Sequence, residues 1–213
     1  MPTTLIKICG ISTPAALDAA IGARADFIGL VFFPPSPRHV DTWGASALAA
    51  RAGQRIGRVG LFVDADDGLL AEGVQAGRLD AIQLHGAETP QRCAEVKARF
   101  SLPVWKALPV AKAEDVARAD GYQGAADLIL FDAKTPSGSA LPGGMGLTFD
   151  WSLLAHYRGA LPWGLAGGLN PANVAEAIRQ TAAPLVDTSS GVESAPGEKD
   201  VDKIVAFCKA ARA

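Results

Sequence analysis

Cysteine is scarce in this sequence of 213 residues, and its spacing excludes two common ways of stabilising a small domain. The three residues are Cys9, Cys93 and Cys208, an odd number without CxxC spacing. Such a set predicts neither a disulfide framework nor a zinc site. We therefore expect three free thiols.

Signals for nucleic-acid binding and membrane insertion are also missing. The net charge is −2 and the pI is about 5.9, so no excess of basic residues attracts nucleic acid. The apolar runs, such as 27–33, are far shorter than the ~20 residues that span a bilayer. Segment 1–9 lacks a basic stretch followed by a long apolar one. We expect no nucleic-acid partner, no membrane span and a cytoplasmic location.

Motifs of metal and nucleotide chemistry are absent as well. The sequence contains no GxxxxGK[ST] loop, no GxGxxG after the first predicted strand and no GxSxG turn. No HxxxH spacing links the three histidines, which are His39, His85 and His156. We expect neither a metal ion nor an organic cofactor.

What the sequence does contain is a regular alternation of short β-branched runs with Ala-rich helical patterns, which is typical of parallel βαβ units. Eight strands are predicted, at 5–9, 27–32, 58–63, 81–84, 104–108, 128–132, 163–166 and 184–187. Eight helices are predicted, at 14–22, 45–52, 66–76, 89–100, 113–119, 151–157, 171–181 and 200–211. Thr13 before Pro14, and Asn170 before Pro171, predict capped helix starts.

Eight strand–helix pairs in this length predict one α/β domain over 1–213, a (β/α)₈ or TIM barrel with eight parallel strands. A doubly wound open sheet is the second interpretation. In a (β/α)₈ barrel the chemistry lies in the loops after the carboxyl ends of the strands. Two of these predicted loops, 33–44 and 133–150, are unusually long and are candidates for binding loops.

Two candidate catalytic residues end predicted strands. Cys9 ends the first strand, where a thiol near positive charge could serve as a base; a buried core cysteine is the alternative. Asp132 ends the sixth, where partial desolvation favours a carboxyl that donates a proton; pairing with Lys134 is the alternative.

Two loops have the composition of a phosphate site. They follow the seventh and eighth strands, where such barrels bind phosphate through backbone N–H groups. Their residues are Gly167, Gly168, Ser189, Ser190 and Gly191. Because glycine lets the backbone approach an anion closely, the pair of loops predicts a phosphorylated small-molecule ligand.

Two further residues are candidates for substrate binding. Arg38 lies in a Pro-rich loop after the second strand, where its guanidinium could grip a carboxylate or could simply be solvated. His85 ends the fourth strand and could bind substrate or only satisfy its loop.

Several strand-end motifs together resemble those of phosphoribosylanthranilate isomerases, in the same order and over nearly the whole chain. They are Lys7-Ile-Cys9-Gly10, Ser36-Pro-Arg38, Gln83-Leu-His85-Gly86, Asp132, Gly143-Gly-Met-Gly146 with Phe149-Asp-Trp151, Leu165-Ala-Gly-Gly-Leu169, and Asp187-Thr-Ser-Ser-Gly-Val-Glu193 with Pro196-Gly-Glu-Lys-Asp200.

The resemblance implies an Amadori rearrangement of an aminoaldose phosphate in tryptophan biosynthesis. It implies that Asp132 is the general acid and Cys9 the general base, and that both must first reach their less populated protonation states. It places Arg38 near the anthranilate carboxylate and Asp187 near the sugar hydroxyls. The two glycine-rich loops match the family's phosphate site.

Alternatives remain at this stage. A sister barrel catalyses the analogous rearrangement in histidine biosynthesis, but that enzyme is expected to carry Asp at the position of Cys9 and a second phosphate loop after the third or fourth strand. A non-catalytic barrel that binds a phosphorylated ligand would need neither Cys9 nor Asp132. Both a monomer and a homodimer are compatible with the sequence.

Overall fold

The chain forms a closed barrel of parallel strands, as the alternating pattern predicts. A computed structural model describes residues 4–134, 146–154 and 157–213. Each strand pairs with the next in the sequence, and the eighth pairs with the first. The strands are β1 (Leu5–Cys9), β2 (Phe27–Val31), β3 (Gly57–Phe62), β4 (Ala81–Leu84), β5 (Val104–Val110), β6 (Leu128–Ala133), β7 (Trp163–Leu165) and β8 (Leu185–Thr188). The (β/α)₈ barrel is confirmed, and the doubly wound sheet is excluded.

Helices lie between most consecutive strands. Those in the described ranges are α1 (Pro14–Gly22), α2 (Thr42–Ala52), α3 (Asp67–Gly77), α4 (Pro90–Phe100), α5 (Ala113–Ala117), α6 (Val174–Thr181) and α7 (Val201–Ala210). A short hairpin of β9 (Glu193–Ala195) and β10 (Glu198–Lys199) follows β8. No helix in the described ranges is both long and apolar enough to cross a bilayer.

Three helix predictions need correction. The helix predicted over 151–157 is wrong, since only a 3₁₀ turn, Trp151–Leu153, forms there, and 155–156 lie outside the described residues. The helix predicted over 113–119 ends at Ala117 and continues as a 3₁₀ helix. The capped start at Asn170 is also wrong. Its side chain accepts from the Ala172 N–H in a turn, and α6 begins only at Val174.

The two predicted long loops have different outcomes. The loop after β2 is shorter than predicted because α2 begins at Thr42, where the side chain of Asp41 caps it by accepting from the Gly44 N–H at 2.7 Å. Most of the loop after β6, namely 135–145, lies outside the described residues. The 143–145 part of the expected glycine motif lies there too.

Two apolar layers form the core. The larger lies between helices and barrel and includes Cys93 and Cys208, which are free thiols as expected. The smaller fills the barrel interior around Val59, Trp105 and Leu130. Charged side chains are buried as well, so the interior is not uniformly apolar.

Aspartates tie strands together at the amino-terminal end of the barrel. Each stands just before an even-numbered strand and accepts a backbone N–H from the start of the preceding odd-numbered strand. The three bonds are Ile6 N to Asp26 Oδ2 at 2.8 Å, Arg58 N to Asp80 Oδ2 at 2.8 Å and Val104 N to Asp127 Oδ2 at 2.9 Å. We call these contacts the aspartate braces. They lie at the opposite end from the strand-end residues and therefore serve stability.

Removing one brace should lower the free energy of unfolding and leave the catalytic activity unchanged. We expect Asp127→Ala to lower the free energy of unfolding by about 2 kcal/mol, because the Val104 N–H loses a charged acceptor. Urea denaturation measures this change. Asp127→Asn keeps an acceptor oxygen and should lose less. Equal losses in the two variants would contradict the role of this bond.

Candidate active site

The predicted site residues meet in one pocket at the carboxyl ends of the strands. Its volume is about 690 Å³, including the space open to solvent at its mouth. The predicted residues that line it are Cys9, Arg38, His85, Asp132, Gly167, Gly168, Asp187, Ser189 and Ser190. Gly191 lies beside them and lines an adjoining hollow with Gly168 and Ser190. Chain folding thus brings together residues nearly 180 positions apart.

Cys9 lies at the end of β1 and is 5% exposed. It packs so closely on β2 that a β-carbon at Gly29 would stand 2.6 Å from its Sγ. Burial raises the pKa of the Cys9 thiol above its usual value, and the positive charge of Lys7 opposes this only in part. A general base at this position must be a thiolate, whereas burial favours the protonated thiol.

Lys7 is a functional residue that the sequence reasoning passed over. It is fully buried, two residues before Cys9 on β1, and its Nζ lies 2.9 Å from Asp187 Oδ2. Burial is the largest single effect on the pKa of Lys7 and lowers it, but the interactions with Asp187 and Cys9 together outweigh burial and raise that pKa, so Lys7 carries its charge. The second Asp187 oxygen, Oδ1, is buried and has no partner among the described residues. That oxygen can still accept a hydrogen bond.

Asp132 and His85 are hydrogen-bonded to each other across the pocket. His85 Nε2 lies 3.1 Å from Asp132 Oδ2, while Asp132 Oδ1 accepts the Ala133 N–H at 2.8 Å. On its other side, His85 Nδ1 lies 2.9 Å from Nε2 of Gln83, which is fully buried. Asp132 therefore does not pair with Lys134 in the way the alternative interpretation proposed. Gln83 was quoted only as part of a motif, and its contact with His85 follows from their i, i+2 spacing on one face of β4.

Arg38 is 6% exposed and belongs to a charged cluster, so it is not a solvated surface residue. Its Nε and Nη2 donate to the two carboxylate oxygens of Glu193 at 2.7 and 2.8 Å. Lys199 Nζ binds the same carboxylate at 2.6 Å and also the Ser189 carbonyl at 2.9 Å. One edge of the guanidinium is thus held by the protein's own carboxylate, which fixes Arg38 at the pocket wall.

The two glycine-rich loops are tied to each other. Thr188 Oγ1 donates to the Leu169 carbonyl at 2.6 Å, and a β-carbon at Gly191 would collide with that same carbonyl oxygen. Gly167 has φ +87° and packs against the Ala133 N–H, where a β-carbon would come within 2.5 Å. In the part of the chain that the structure describes, the N–H groups of Ser190 and Gly191 meet no protein acceptor. Such a pair of inward amides suits an anion.

These features define a class of protein. A thiol, a carboxyl and two glycine-rich loops suited to an anion, all in one barrel pocket, are typical of an enzyme that moves protons on a small phosphorylated substrate. The family model of N-(5'phosphoribosyl)anthranilate (PRA) isomerase matches residues 6–210. The chain belongs to this family of isomerases.

Relatives and solved structures agree with this assignment. The chain is 54% identical over 207 residues to the N-(5'-phosphoribosyl)anthranilate isomerase of Paramagnetospirillum magneticum, covering 97% of this chain and 96% of that one. It is also similar to the crystal structure of phosphoribosyl anthranilate isomerase from Thermotoga maritima, at 37% identity, a TM-score of 0.88 and 98% of both chains. A further similar structure is a phosphoribosyl anthranilate isomerase in complex with reduced 1-(o-carboxyphenylamino)-1-deoxyribulose 5-phosphate. Its identity to this chain is 34%, the TM-score is 0.85 and 98% of both chains is covered.

The Arg38–Glu193–Lys199 cluster should make stability depend on pH. Burial raises the pKa of Glu193, but Arg38 and Lys199 outweigh it and hold that pKa below its usual value near 4.5. The unfolded chain therefore takes up this proton first as the pH falls. We expect the stabilisation to be complete above pH 4.5 and to be lost progressively below it, as measured by urea denaturation across the acid range.

Glu193→Gln tests this expectation. It should lower the free energy of unfolding at pH 7 by about 3 kcal/mol, because two buried cations lose their counter-charge. It should also flatten the dependence on pH below 4.5. Glu198→Gln, at an exposed position on β10, is the matched control and should change neither quantity. An unchanged acid slope in Glu193→Gln would show that this cluster is not its source.

Proposed function

We propose that this chain isomerises N-(5'-phosphoribosyl)anthranilate to 1-(2-carboxyphenylamino)-1-deoxyribulose 5-phosphate in tryptophan biosynthesis, with Asp132 as acid and Cys9 as base. The observation that carries the assignment of roles is that both side chains line one pocket with the anion-binding loops. The activity is that of the family. The residue roles are inferred from the resemblance and supported by this geometry.

In the first step Asp132 acts as the general acid. Its carboxyl gives a proton to the ring oxygen of the ribose, the bond from that oxygen to C1 breaks, and the nitrogen lone pair forms an iminium ion. Because Asp132 lies at the end of β6 against His85, its proton-bearing oxygen is held toward the pocket. General acid catalysis of this kind contributes about 10²- to 10⁴-fold to a rate.

In the second step Cys9 acts as the general base. Its sulfur takes the proton from C2, the C–H electrons move into the C1–C2 bond, and the iminium becomes an enolamine that tautomerises to the ketone. The sulfur must first lose its own proton, which burial opposes. Two cations favour the thiolate, chiefly the buried ammonium of Lys7 on the same strand and, to a smaller extent, that of Lys199.

The remaining candidate residues bind substrate. We infer that the phosphate lies on the backbone of Gly167, Gly168, Ser189, Ser190 and Gly191. The cationic Arg38 at the pocket wall suits the anthranilate carboxylate, and the unpartnered Oδ1 of Asp187 suits a sugar hydroxyl. The acid, the base and the binding groups of this proposal all belong to the chain itself, and we propose that the reaction uses no metal ion and no organic cofactor.

The assembly and setting of the enzyme complete the proposal. We infer that 1–213 is one domain and that the enzyme acts in the cytoplasm as a monomer or a homodimer, with no nucleic-acid partner. In its support, a Thermotoga maritima structure of 36% identity and TM-score 0.84, which covers 98% of both chains, holds monomers of a dimeric phosphoribosylanthranilate isomerase.

The activity and the two catalytic roles are testable together. Purified protein mixed with fresh phosphoribosylanthranilate should abolish the substrate's fluorescence, in the presence of EDTA. Cys9→Ser and Asp132→Asn should each lower kcat by about 10²-fold or more, while the affinity for a product analogue stays the same. Cys208→Ser, also a buried cysteine but outside the pocket, is the control and should keep full turnover.

Other outcomes would reject parts of the proposal. Unchanged turnover in Cys9→Ser or Asp132→Asn would remove the assigned role of that residue. Binding of the product analogue without any turnover would favour a non-catalytic barrel. Preference for the aminoaldose phosphate of histidine biosynthesis would assign the chain to the sister reaction. Loss of activity with EDTA would indicate a required metal ion.

A further inference from the structure

His85 is held between two side chains that hydrogen-bond its two ring nitrogens. Nε2 faces Asp132 Oδ2 at 3.1 Å, and Nδ1 faces the amide of Gln83 at 2.9 Å. Gln83 is completely buried inside the barrel, and His85 is largely buried. The three residues form a continuous line from the barrel interior to the catalytic carboxyl. A neutral imidazole carries a single proton, so one ring nitrogen donates a hydrogen bond and the other accepts one. The hydrogen bond to Gln83 therefore determines which kind of hydrogen bond His85 makes with Asp132.

Only one of the two carboxyl oxygens of Asp132 is left to carry the acid proton. Asp132 Oδ1 accepts the N–H of Ala133 at 2.8 Å, which leaves Oδ2 to carry the proton that the acid delivers. Oδ2 is the atom that faces His85 Nε2. An Oδ2–H group can donate to Nε2 only when that nitrogen has no proton of its own. The neutral imidazole must then carry its proton on Nδ1.

A proton on Nδ1 requires an acceptor, and Gln83 is the group that faces it. In the structure the amide nitrogen of Gln83 points at Nδ1, and the amide oxygen is buried with no partner among the described residues. Turning the amide by 180° keeps its shape and offers the oxygen to Nδ1–H instead. In the present orientation no partner among the described residues holds Oε1 in place, so no hydrogen bond at that end of the amide is lost when it turns. The contact with His85 is the hydrogen bond that distinguishes the two orientations.

The two amide orientations correspond to two forms of the acid. With the nitrogen toward His85, Nδ1 accepts, Nε2 carries the proton, and Asp132 is held as a carboxylate. With the oxygen toward His85, Nδ1 donates, Nε2 accepts, and Asp132 is held as the carboxylic acid. Only the second form can protonate a substrate.

We propose that Gln83 is a positioning residue that fixes the Nδ1–H tautomer of His85 and thereby keeps Asp132 in its acid form. The inference rests on the proposed role of Asp132 as general acid. Gln83 touches no substrate, and it acts only through His85. A glutamine suits this position because it accepts a hydrogen bond without adding a negative charge, and a carboxylate there would draw a second proton onto the imidazole.

The test is to read the tautomer of His85 directly. Nitrogen NMR of the ¹⁵N-histidine-labelled full chain, without substrate, distinguishes Nδ1–H from Nε2–H, and His85→Asn assigns the signals. We expect Nδ1–H in the unmodified protein. Gln83→Met removes the acceptor at nearly constant volume and should shift His85 toward Nε2–H. In the same variant kcat for phosphoribosylanthranilate should fall about tenfold, with KM within about twofold because substrate contacts are untouched.

The control is Gln91→Met, the same substitution at an exposed position on α4, which should change neither the tautomer nor kcat. Circular dichroism confirms that each variant is folded. An Nε2–H tautomer in the active unmodified protein overturns the proposal. An unchanged tautomer or an unchanged kcat in folded Gln83→Met overturns it too. Absence of turnover in the unmodified protein would instead refute the proposed function, and the tautomer measurement does not depend on it.

Discussion

The parallel pairing of β1 with β8 is the constraint on which the site depends. It places Lys7 opposite Asp187 in register, so that a cation and an anion from the two ends of the chain meet in the barrel interior. Cys9 lies two residues further along β1, at the pocket mouth. Closing the barrel also brings the loop after β8, our proposed phosphate loop, beside Cys9 and Arg38, which follow from β1 and β2. Without that closure, Lys7 would lack the counter-charge of Asp187, and Arg38 would not reach Glu193.

Most of the buried charged side chains among the described residues are paired with a side chain of opposite charge. Lys7 pairs with Asp187, Lys106 with Glu88 at 3.0 Å, and Arg38 shares Glu193 with Lys199. Because an uncompensated ion in such an interior costs several kcal/mol, removing one partner of a pair destabilises the fold. Two of these groups, at Asp187 and Arg38, also line the pocket. Paired charges held in fixed positions keep the electric field in the pocket constant while charge develops on a substrate. Such preorganisation lowers the activation free energy of a reaction.

Much of this arrangement could be predicted from the sequence, and the exceptions have physical reasons. Strand-end residues such as Cys9 and Asp132 were found because a parallel barrel gathers every strand end at one rim. The cluster around Glu193 was missed because Arg38 lies 155 positions from Glu193 and such pairing has no sequence periodicity. The helix expected over 151–157 failed because apolar spacing alone does not supply enough tertiary packing for a short helix. No sequence pattern predicts the orientation of the Gln83 amide, because that orientation depends on the hydrogen bond with His85.

The aspartate braces have a consequence for how the barrel is subdivided. Each one links an odd strand only to the even strand that follows it, at β1–β2, β3–β4 and β5–β6. A cut in the chain between α4 and β5 would leave every brace intact within one of the two fragments. The contacts that such fragments would have to rebuild on reassociation are the ladders β4–β5 and β8–β1, and the second of these restores the Lys7–Asp187 pair. Reassembly of the halves and recovery of the buried charge pair would thus be one and the same event.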